Sequence, residues 1–378
     1  MIYVKDMRST VGKYDKNKIS VGTIGSHSAL DICDGARDLG LRTIVICQKG
    51  RERTYEKYFI RKRTQDGLEK GVIDKVYVLE RFKDILNIQN ELIDENTIFV
   101  PNRSFVVYVG IENIEKKFKV PMFGNRFLLK IEERSLKENY YELLKKAKIP
   151  HPEEVTPEEI KVLTIVKMPH AKKKLERGFF TVTSYEEFLE KSKDLIDRGI
   201  ITEEDLKRAR IERYILGPVF NADMFYSPID DEIELLGVDW RFETDLDGFV
   251  RLPAEEQLKL PESQKIPEYI VCGHSTATLR ESLLDKVFEI AEKFIRVTRE
   301  EYPPGVIGPF TLQMVVDKDL DFYVFDVAVR IGGGTNIHMS LGHPYGNALW
   351  RQPMSTGKRI ALEIKRATEL DSLEEIVT

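Results

Sequence analysis

Hydrophobic and polar positions alternate in short blocks at the start of the chain. Residues 19–24 form an apolar run, residues 25–28 form the small polar loop Gly-Ser-His-Ser, and residues 43–47 form a second apolar run. Between the two runs, apolar or small residues recur at helical spacing; they are Ala29, Ile32, Cys33 and Ala36. The pattern predicts a strand, a helix and a second strand. The loop 25–28 then lies where free backbone N–H groups and the helix dipole favour an anion.

The same kind of pattern continues through the first third of the chain. Residues 98–101 and 106–109 are predicted to be strand ends, and the polar residues 102–104 lie between them. We therefore predict that residues 1–125 form a small doubly wound α/β domain. Its ligand loops are expected to share one edge of the sheet.

A proline-containing break at 149–152 precedes most of the remaining strands. It ends an amphipathic helix predicted over 135–148, and short strands then alternate with helices. The predicted strands are 164–168, 179–183, 211–216, 219–225, 233–239, 310–316 and 322–327, the predicted helices are 185–197, 203–209 and 283–299, and a charged turn is predicted over 169–178. We predict a second, α+β domain over 126–378 with two lobes, roughly 150–217 and 218–378.

Length and composition exclude several classes of protein. A chain of 378 residues exceeds the usual size of one hydrophobic core, so several subdomains are expected. No apolar run approaches the ~18 residues of a membrane span, and the first ten residues lack a signal-peptide core. The three cysteines show no paired or metal-type spacing, which fits a reducing cytoplasm. A net charge of -5 offers no general attraction for nucleic acid, so a phosphate site is expected to be a local pocket.

A lysine lies inside the predicted strand 164–168. A buried ammonium is costly without an anionic partner, and a phosphate would be such a partner for Lys167. The competing interpretation is that Lys167 extends from the strand end into water. Residues 211–217 form an extended segment whose backbone could pair with an adenine edge while an acidic side chain reaches a ribose; an ordinary strand is the alternative.

Two neighbouring strands near the end of the chain carry oxygen ligands. A hairpin would bring Gln313 and Asp326 to one face, and magnesium prefers oxygen donors while it bridges nucleotide phosphates. Arg330 could then contact a transferring phosphoryl group, and the glycines 332–334 would allow the backbone to approach it. The alternative is a lone strand acid followed by a glycine bulge or turn.

The histidines allow fewer conclusions. His27 lies in the loop where ligand residues concentrate, and His274 is a second candidate, but a surface or capping role is an equal alternative for each. The other four histidines show no metal-ligand spacing. The chain also lacks a glycine-lysine phosphate loop, a kinase signature and a serine-hydrolase elbow.

Several short motifs occur in a fixed order along nearly the whole chain. They are 25–28 (GSHS), 49–51 (KGR), 100–101 (VP), 104–105 (SF), 121–126 (PMFGNR), 165–169 (IVKMP), Glu212 with Tyr214, 225–228 (FYSP), 234–237 (ELLG), 247–251 (DGFVR), 280–284 (RESLL), 308–310 (GPF), 312–313 (LQ) and 333–336 (GGTN). Together they resemble the archaeal PurP family of formate-dependent 5-formaminoimidazole-4-carboxamide ribonucleotide synthetases, which are ATP-grasp enzymes.

This resemblance implies a fold, an activity and a set of ligands. The fold would be ATP-grasp, mixing α/β and α+β parts, with an N-terminal doubly wound domain. The activity would be an ATP-dependent ligase reaction that joins formate to the amine of a purine ribonucleotide precursor through formyl phosphate, with Mg²⁺ or Mn²⁺. The resemblance also implies a cytoplasmic homo-oligomer whose partners are small molecules rather than nucleic acid or membrane.

The resemblance further assigns roles to individual residues. The catalytic residues would be His27 and Arg330. The substrate-binding residues would be Ser26, His27, Ser104, Arg251 and Asn336. The residues that bind ATP would be Lys167, Glu212, Arg213, Tyr214, Ile215 and Asn221. The metal ligands would be Gln313 and Asp326.

The chain departs from the family pattern within the site. The turn 169–178 is lysine-rich where the family has a glycine-rich turn, and Asp326 stands where glutamate is expected. Residues 331–332 are Ile-Gly where the family usually carries an acid, and residues 102–103 are Asn-Arg where it tends to have His-Gly. These changes leave two alternatives open: an ATP-grasp ligase acting on a related nucleotide or another small acid, and a nucleotide-binding sensor without catalysis.

Overall fold

The computed structural model describes residues 2–134, 136–169, 179–261, 264 and 269–378. The first strands along the chain are β1 Ser20–Ile24, β2 Arg42–Gln48, β3 Lys62–Arg63, β4 Glu69–Lys70, β5 Lys75–Leu79 and β6 Thr97–Phe99. Four of them form a parallel sheet in the order β5-β2-β1-β6, and β3 pairs with β4. Every residue of β1 is buried, as expected for a strand inside a parallel sheet with covered faces.

The helices of this first part are α1 Val4–Val11, α2 Ala29–Asp38, α3 Gln89–Asp94, α4 Arg103–Val109 and α5 Ile111–Lys116. Helix α2 joins β1 to β2, which confirms the predicted strand-helix-strand order. The predicted strand at 106–109 is wrong, because these residues belong to α4. Phe105 and Val109 are buried while Val107 is exposed, and this is the spacing of a helix. Four consecutive β-branched or aromatic residues concealed that spacing in the sequence.

The middle of the chain contains a smaller sheet. Its elements are α6 Tyr140–Lys146, β7 Thr164–Lys167, β8 Phe179–Val182, α7 Tyr185–Asp197, α8 Glu203–Lys207 and β9 Arg210–Arg213. The three strands are antiparallel in the order β8-β7-β9, and an apolar cluster of Val166, Val182, Phe188 and Ile211 joins them to α7. The predicted helix at 135–148 is shorter, beginning at Tyr140. Most of the predicted turn, residues 170–178, lies outside the described residues.

The largest sheet is formed by residues 219–328. Its elements are β10 Val219–Ser227, β11 Glu232–Asp245, α9 Leu246–Phe249, α10 Ala254–Lys259, β12 Tyr269–Thr276, α11 Leu284–Glu301, β13 Gly308–Val316 and β14 Phe322–Ala328. The strands are antiparallel in the order β12-β11-β10-β13-β14. One face carries buried apolar residues such as Met224 and Leu312, which share a core cluster with Phe294 of α11. The opposite face is polar.

The chain ends with α12 Pro344–Trp350 and α13 Thr356–Glu369. Helix α13 lies directly against α2, and the contact is made by glycines. A Cβ atom at Gly357 would lie 2.1 Å from the carbonyl oxygen of Asp31, and one at Gly35 would lie 2.2 Å from the amide nitrogen of Lys358. Only glycine permits this approach. The predicted boundary at 125–126 stays a prediction, although residues far beyond it complete the core around α2.

A buried ion cluster attaches α13 to the large sheet. The guanidinium of Arg359 is fully buried, and it donates to Glu234 of β11 at 2.8 Å and to Glu363 at 2.7 Å. The indole of Trp350 also donates to Glu234, at 2.8 Å. Because each buried charge is paired, the cluster fixes the position of α13 without an uncompensated ion.

Across the residues that the structure describes, no helix is both long enough and apolar enough to cross a membrane.

Candidate active site

A row of polar side chains crosses the exposed face of the large sheet. In the strand register Thr276 pairs with Asp239, Asp239 with Asn221, Asn221 with Gln313, and Gln313 with Asp326. Residues directly opposite one another in paired strands point to the same face. The prediction that a hairpin brings Gln313 and Asp326 together is therefore confirmed, and the row extends it over all five strands.

Asp326 lies among cations. Its carboxylate is 3.4 Å from the guanidinium of Arg134, and its side chain is 27% exposed in a recess of the sheet. Removal from bulk water would raise the pKa of this carboxyl, but Arg134, Arg241, Lys167 and Arg103, in decreasing order, lower it below its ordinary value. Asp326 is therefore a carboxylate at neutral pH and a hard oxygen donor.

The neighbouring amides complete a set of oxygen donors suited to a hard cation. The side-chain oxygen of Gln313 accepts a hydrogen bond from Arg241. The side-chain oxygen of Asn221 is buried and has no hydrogen-bond partner among the described residues. No cluster of three or more His, Cys, Asp or Glu side chains that could hold a metal by itself occurs within those residues. Two or three oxygens with room for phosphate and water are the usual protein contribution to Mg²⁺.

Lys167 is buried at the end of β7 and is 8% exposed. Its ammonium pairs with the carboxylate of Glu212 on β9 and lies 3.0 Å from the hydroxyl of Tyr141. Arg210 donates to the other oxygen of Glu212 at 2.8 Å. Burial lowers the pKa of Lys167, and the charge of Glu212 opposes that change. The alternative in which Lys167 extends into water is wrong, and the anionic partner in this structure is Glu212.

The residues after Glu212 are open to solvent. Arg213 is exposed and pairs with Glu153 at 3.0 Å, Tyr214 is 40% exposed, and Ile215 is half-buried. Strand β9 ends at Arg213, although the predicted strand extended to residue 216. The amide of Tyr214 donates to the carbonyl oxygen of Leu163 at 3.0 Å, whereas the backbone of Ile215 makes no hydrogen bond to a described residue and can pair with a ligand.

The loop 25–28 is held in place by a buried asparagine. The side chain of Asn102 donates to the carbonyl oxygens of Ile24 at 2.8 Å and Ser26 at 3.2 Å, and it also caps α4 by accepting from the amide of Phe105. The Ser104 hydroxyl donates to the Ser26 hydroxyl at 2.8 Å. The predicted residues Ser26 and Ser104 are therefore adjacent, and Asn102 explains why.

His27 lies beside these serines at the mouth of the site. Its Nδ1 is 3.2 Å from the Ser26 hydroxyl, and part of the ring is open to solvent. Desolvation by the surrounding protein, followed by the charges of Arg330 and Arg103, lowers the pKa of His27 to about 4. Both effects favour the neutral ring at physiological pH, and the two arginines would also attract a phosphate.

A glycine loop covers this end of the sheet. A Cβ at Gly333 would lie 3.1 Å from the ring of His27, so the loop 332–334 passes directly over the histidine. The Ser28 hydroxyl donates to the carbonyl of Gly332, and Asn336 accepts from the amide of Asp31 at 3.3 Å. The glycines had been predicted to allow an approach to a phosphoryl group. Their nearest neighbours in the structure are side chains of the site itself.

Arg330 is held by an acid that the sequence analysis missed. Its guanidinium donates to Glu132 at 3.2 Å and to the carbonyl oxygen of Ile331 at 2.7 Å, and its side chain is 10% exposed. Arg103 lies 3.4 Å from the same carboxylate. Glu132 thus fixes two arginines at the edge of the polar face.

Arg251 lies apart from the other predicted site residues in the structure. It lies in an exposed turn after α9 and shares no hydrogen bond or ion pair with the other predicted site residues in the described ranges.

Several residues of this surface were not predicted. Their only trace in the sequence is a polar residue every second position in strands that are otherwise apolar. The unpredicted residues with this spacing are Asp223, two positions after the predicted Asn221, Asp239 with Arg241, and Thr276, two positions after the candidate His274. Arg134 and Glu132 come from a segment without regular periodicity, so no local pattern could have placed them.

Two family models match the chain. A model described as a protein of unknown function (DUF1246) matches residues 21–155, and one described as a domain of unknown function (DUF1297) matches residues 187–378.

Full-length relatives also match. A protein of Methanocaldococcus jannaschii described as 5-formaminoimidazole-4-carboxamide-1-(beta)-D-ribofuranosyl 5'-monophosphate synthetase is 41% identical over 382 residues, covering 100% of both chains. The crystal structure of an IMP biosynthesis protein PurP from Thermococcus kodakaraensis is 34% identical with a TM-score of 0.71, covering 95% of this chain and 100% of that one. The N5-carboxyaminoimidazole synthetase of Staphylococcus aureus complexed with ADP, at 12% identity and a TM-score of 0.58, covers 93% of this chain and 79% of its own, and is similar in fold alone.

Proposed function

The chain belongs to the archaeal family of 5-formaminoimidazole-4-carboxamide ribonucleotide synthetases, and we propose that it formylates the amine of 5-aminoimidazole-4-carboxamide ribonucleotide with formate and ATP. The family and the ATP-grasp fold class predicted from the sequence are confirmed, and so is an ATP-dependent ligase. The two alternatives, a ligase for another acid and a sensor, have less support than this activity.

The chemistry requires activation of a poor electrophile. A formate oxygen attacks the γ-phosphorus of ATP, the bond to ADP breaks, and formyl phosphate forms. The amine nitrogen then attacks the formyl carbon, the C–O bond to phosphate breaks, and a proton leaves the nitrogen. Each step needs accumulating negative charge to be neutralised and the reacting atoms to be aligned, and phosphoryl transfer depends mainly on these two effects.

The polar face of the large sheet suits the nucleotide and a divalent metal. Asp326 and Gln313 would hold Mg²⁺ or Mn²⁺, which neutralises phosphate charge when bound. The unpartnered oxygen of Asn221 offers a third donor. Arg241, which donates to the side-chain oxygen of Gln313, would contact a phosphate beside that metal.

Lys167 would bind nucleotide phosphate from the side of the small sheet. Its pairing with Glu212 keeps the ammonium in place without a nucleotide. The open segment of Arg213, Tyr214 and Ile215 would contact the adenosine.

The loop 25–28 would bind the ribonucleotide. Ser26, His27 and Ser104 form one hydrogen-bonded group at the amino end of α2. Asn336 lies against the same helix end, and an anion is favoured there. Arg251 keeps its predicted role only if the exposed turn that carries it moves toward the site.

Arg330 would stabilise the transferring phosphoryl group. Glu132 fixes its guanidinium, and the Nε–H of Arg330 is buried without a partner in the described part of the chain. An arginine already held in one orientation loses little entropy when it binds a phosphate.

The observation that carries the proposal is the position of the Asp326 cluster. Oxygen donors lie on one face of the large sheet with four cations around Asp326, and the loop of His27 closes the other end of that face. The test is ADP release by purified protein with ATP, magnesium and the ribonucleotide, with and without formate. We expect ADP and the formamide product in equal amounts, and only when formate is present. Formate-independent ADP release, or formate-dependent release without the product, would contradict the proposal.

We also propose that the chain works in the cytoplasm as a homo-oligomer and takes small molecules as its ligands. The sequence supports this through its composition and its family resemblance. Light scattering of the purified protein would measure the assembly.

A further inference from the structure

Three titratable side chains, those of His274, Asp239 and Asp223, form a mostly buried cluster beside the proposed metal and nucleotide ligands. Nδ1 of His274 lies 2.6 Å from a carboxylate oxygen of Asp239, and the side-chain amide of Asn221 donates to the same oxygen at 2.8 Å. Asp239 is 1% exposed and Asp223, next to it, is 2% exposed. The side chain of His274 is 16% exposed, so His274 is the member of this cluster that opens to the site.

The hydrogen bonds of this cluster set the tautomer of His274. A carboxylate oxygen of Asp239 accepts from the side-chain amide of Asn221 at 2.8 Å, and at the 2.6 Å contact with the same oxygen Nδ1 of His274 is the donor. This contact selects the tautomer of His274 with its proton on Nδ1. The Thr311 hydroxyl donates to Asp223 at 3.0 Å. Nε2 of His274 then carries a lone pair, and it makes no hydrogen bond to a described residue.

The glycine loop places this histidine at the ribonucleotide end of the site. A Cβ at Gly334 would lie 2.6 Å from both Asp239 Oδ2 and His274 Nδ1, while a Cβ at Gly333 would approach the His27 ring. His274 and His27 therefore flank the same short loop. The charge of His274 also acts on His27, which places the two rings within electrostatic range.

We propose that His274 is the general base for the amine in the second step, with Asp239 as the residue that positions it. This assignment rests on the proposed function. As the amine nitrogen forms its bond to the formyl carbon, it becomes acidic, and Nε2 of His274 accepts its proton. The C–O electron pair leaves with phosphate, which takes the proton from His274 or receives it through solvent. Net, amine and formyl phosphate give formamide and hydrogen phosphate.

His27 is less suited to this role. It is surrounded by arginines, which disfavour its protonated form, and its Nδ1 is bonded to Ser26. His274 instead has an anionic partner that stabilises the imidazolium formed in the step. The charged or titratable groups around His274 are Asp223, Asp239, Arg241, His27 and His338.

The experiment separates amine transfer from formate activation. His274→Gln keeps a polar side chain of similar reach but removes the base, and Ser275→Ala, on the opposite face of the same strand, is the matched control. Each protein receives ATP, magnesium and formate with either the ribonucleotide or hydroxylamine, a strong nucleophile that captures acyl phosphates without an enzymatic base. Formamide and formyl hydroxamate are measured.

We expect His274→Gln to form formamide at least ~10²-fold more slowly, since a general base contributes about that much or more. Hydroxamate formation is expected to stay within threefold of the parent, and Ser275→Ala to match the parent in both. Formamide formation within threefold of the parent, or an equal loss of both products, would overturn the assignment. A parent that makes neither product would overturn the proposed function. If the parent makes both products, the rates of His274→Gln test the base assignment separately from the proposed function.

Asp239→Asn gives a second readout that damage to the fold would not mimic. Without the carboxylate the imidazolium of His274 is less stable, so the rise of formamide formation with pH should move to lower pH and its maximum should fall. An unchanged profile would count against a positioning role for Asp239, even if the overall rate drops.

Discussion

Asp326 is one methylene shorter than the glutamate expected at its position, and it lies among four cations. We predict that Asp326→Asn lowers kcat by ~10²-fold or more, because the site loses the only carboxylate assigned to the metal and leaves those cations uncompensated. Asp326→Glu should keep or raise activity. Monophosphate binding should be nearly the same in all three proteins, because the loop of Ser26 is separate. Turnover by Asp326→Asn equal to that of the parent would remove this residue from the metal site.

Substitutions at Lys167 and Glu212 can separate effects on the stability of the fold from effects on ATP binding. Lys167→Met should lower the free energy of unfolding by about 3 kcal/mol, the lower end for a broken buried pair, because Arg210 still binds Glu212. Adding Glu212→Gln should recover most of that loss. Neither protein should show the rise in Tm that magnesium and ATP give the parent, since a ligand stabilises only a state that binds it. A normal rise in Lys167→Met would exclude Lys167 from the nucleotide site.

At the residue scale, the sequence predicts most of the proposed ligand side chains but not the groups that hold them. Lys167 and Asp326 stood out because a charge in an apolar strand needs an explanation. The partner of Asp326, Arg134, lies on a segment with no periodic pattern. Tyr141, the partner of Lys167, lies in the predicted helix 135–148, but only the folded chain brings that helix close to β7. Gln313 could be placed opposite Asp326 because a hairpin fixes its own register.

At the scale of elements, the contact between α2 and α13 depends on Gly357 and Gly35. Gly357→Ala should lower the free energy of unfolding by about 3 kcal/mol, because the new methyl group would overlap the backbone of Asp31. Gly12→Ala is the control: its backbone is helical and the nearest atom is 3.4 Å away, so it should be neutral or slightly stabilising. Chemical denaturation measures both, and equal effects would show that close packing of the two helices is unimportant.

The same helix pair contains a carboxyl that opposes folding at neutral pH. Burial raises the pKa of Asp31 to about 6, and its Oδ2 accepts from the amide of Gly357 at 2.9 Å. A carboxyl with a raised pKa favours the folded state while it is protonated, so its contribution is present below pH 4 and lost as pH rises through about 6. The parent should therefore lose roughly 2 kcal/mol relative to Asp31→Asn between those values.

Unfolding of both proteins at pH 4 and pH 7 measures this loss, because the two proteins differ only at Asp31. A parent and an Asp31→Asn protein with parallel pH dependence would show that Asp31 titrates normally in the folded chain.

Element prediction succeeded where periodicity extended over a whole strand or a long helix, as in β10, β13 and α11. It failed at α4, whose four consecutive residues Val-Val-Tyr-Val have high strand propensity, although the cap at Asn102 and tertiary packing select a helix. The packing of α13 on α2 could not be predicted, because it joins segments more than three hundred residues apart through the absence of side chains.

At the scale of the whole molecule, three separate parts of the chain converge on one surface. The N-terminal sheet supplies the loop of His27, the small sheet supplies Lys167, and the large sheet supplies Asp326 and its row of polar neighbours. In the proposed function each of these three parts contributes one class of ligand.

The central claim is that formate is activated by phosphoryl transfer from ATP on this surface. The most direct measurement is the reaction with formate labelled with ¹⁸O, followed by mass spectrometry of the inorganic phosphate and the formamide product. Transfer through formyl phosphate predicts one formate oxygen in each phosphate released and the other in the formamide. Phosphate without the label, formed together with the product, would contradict this account.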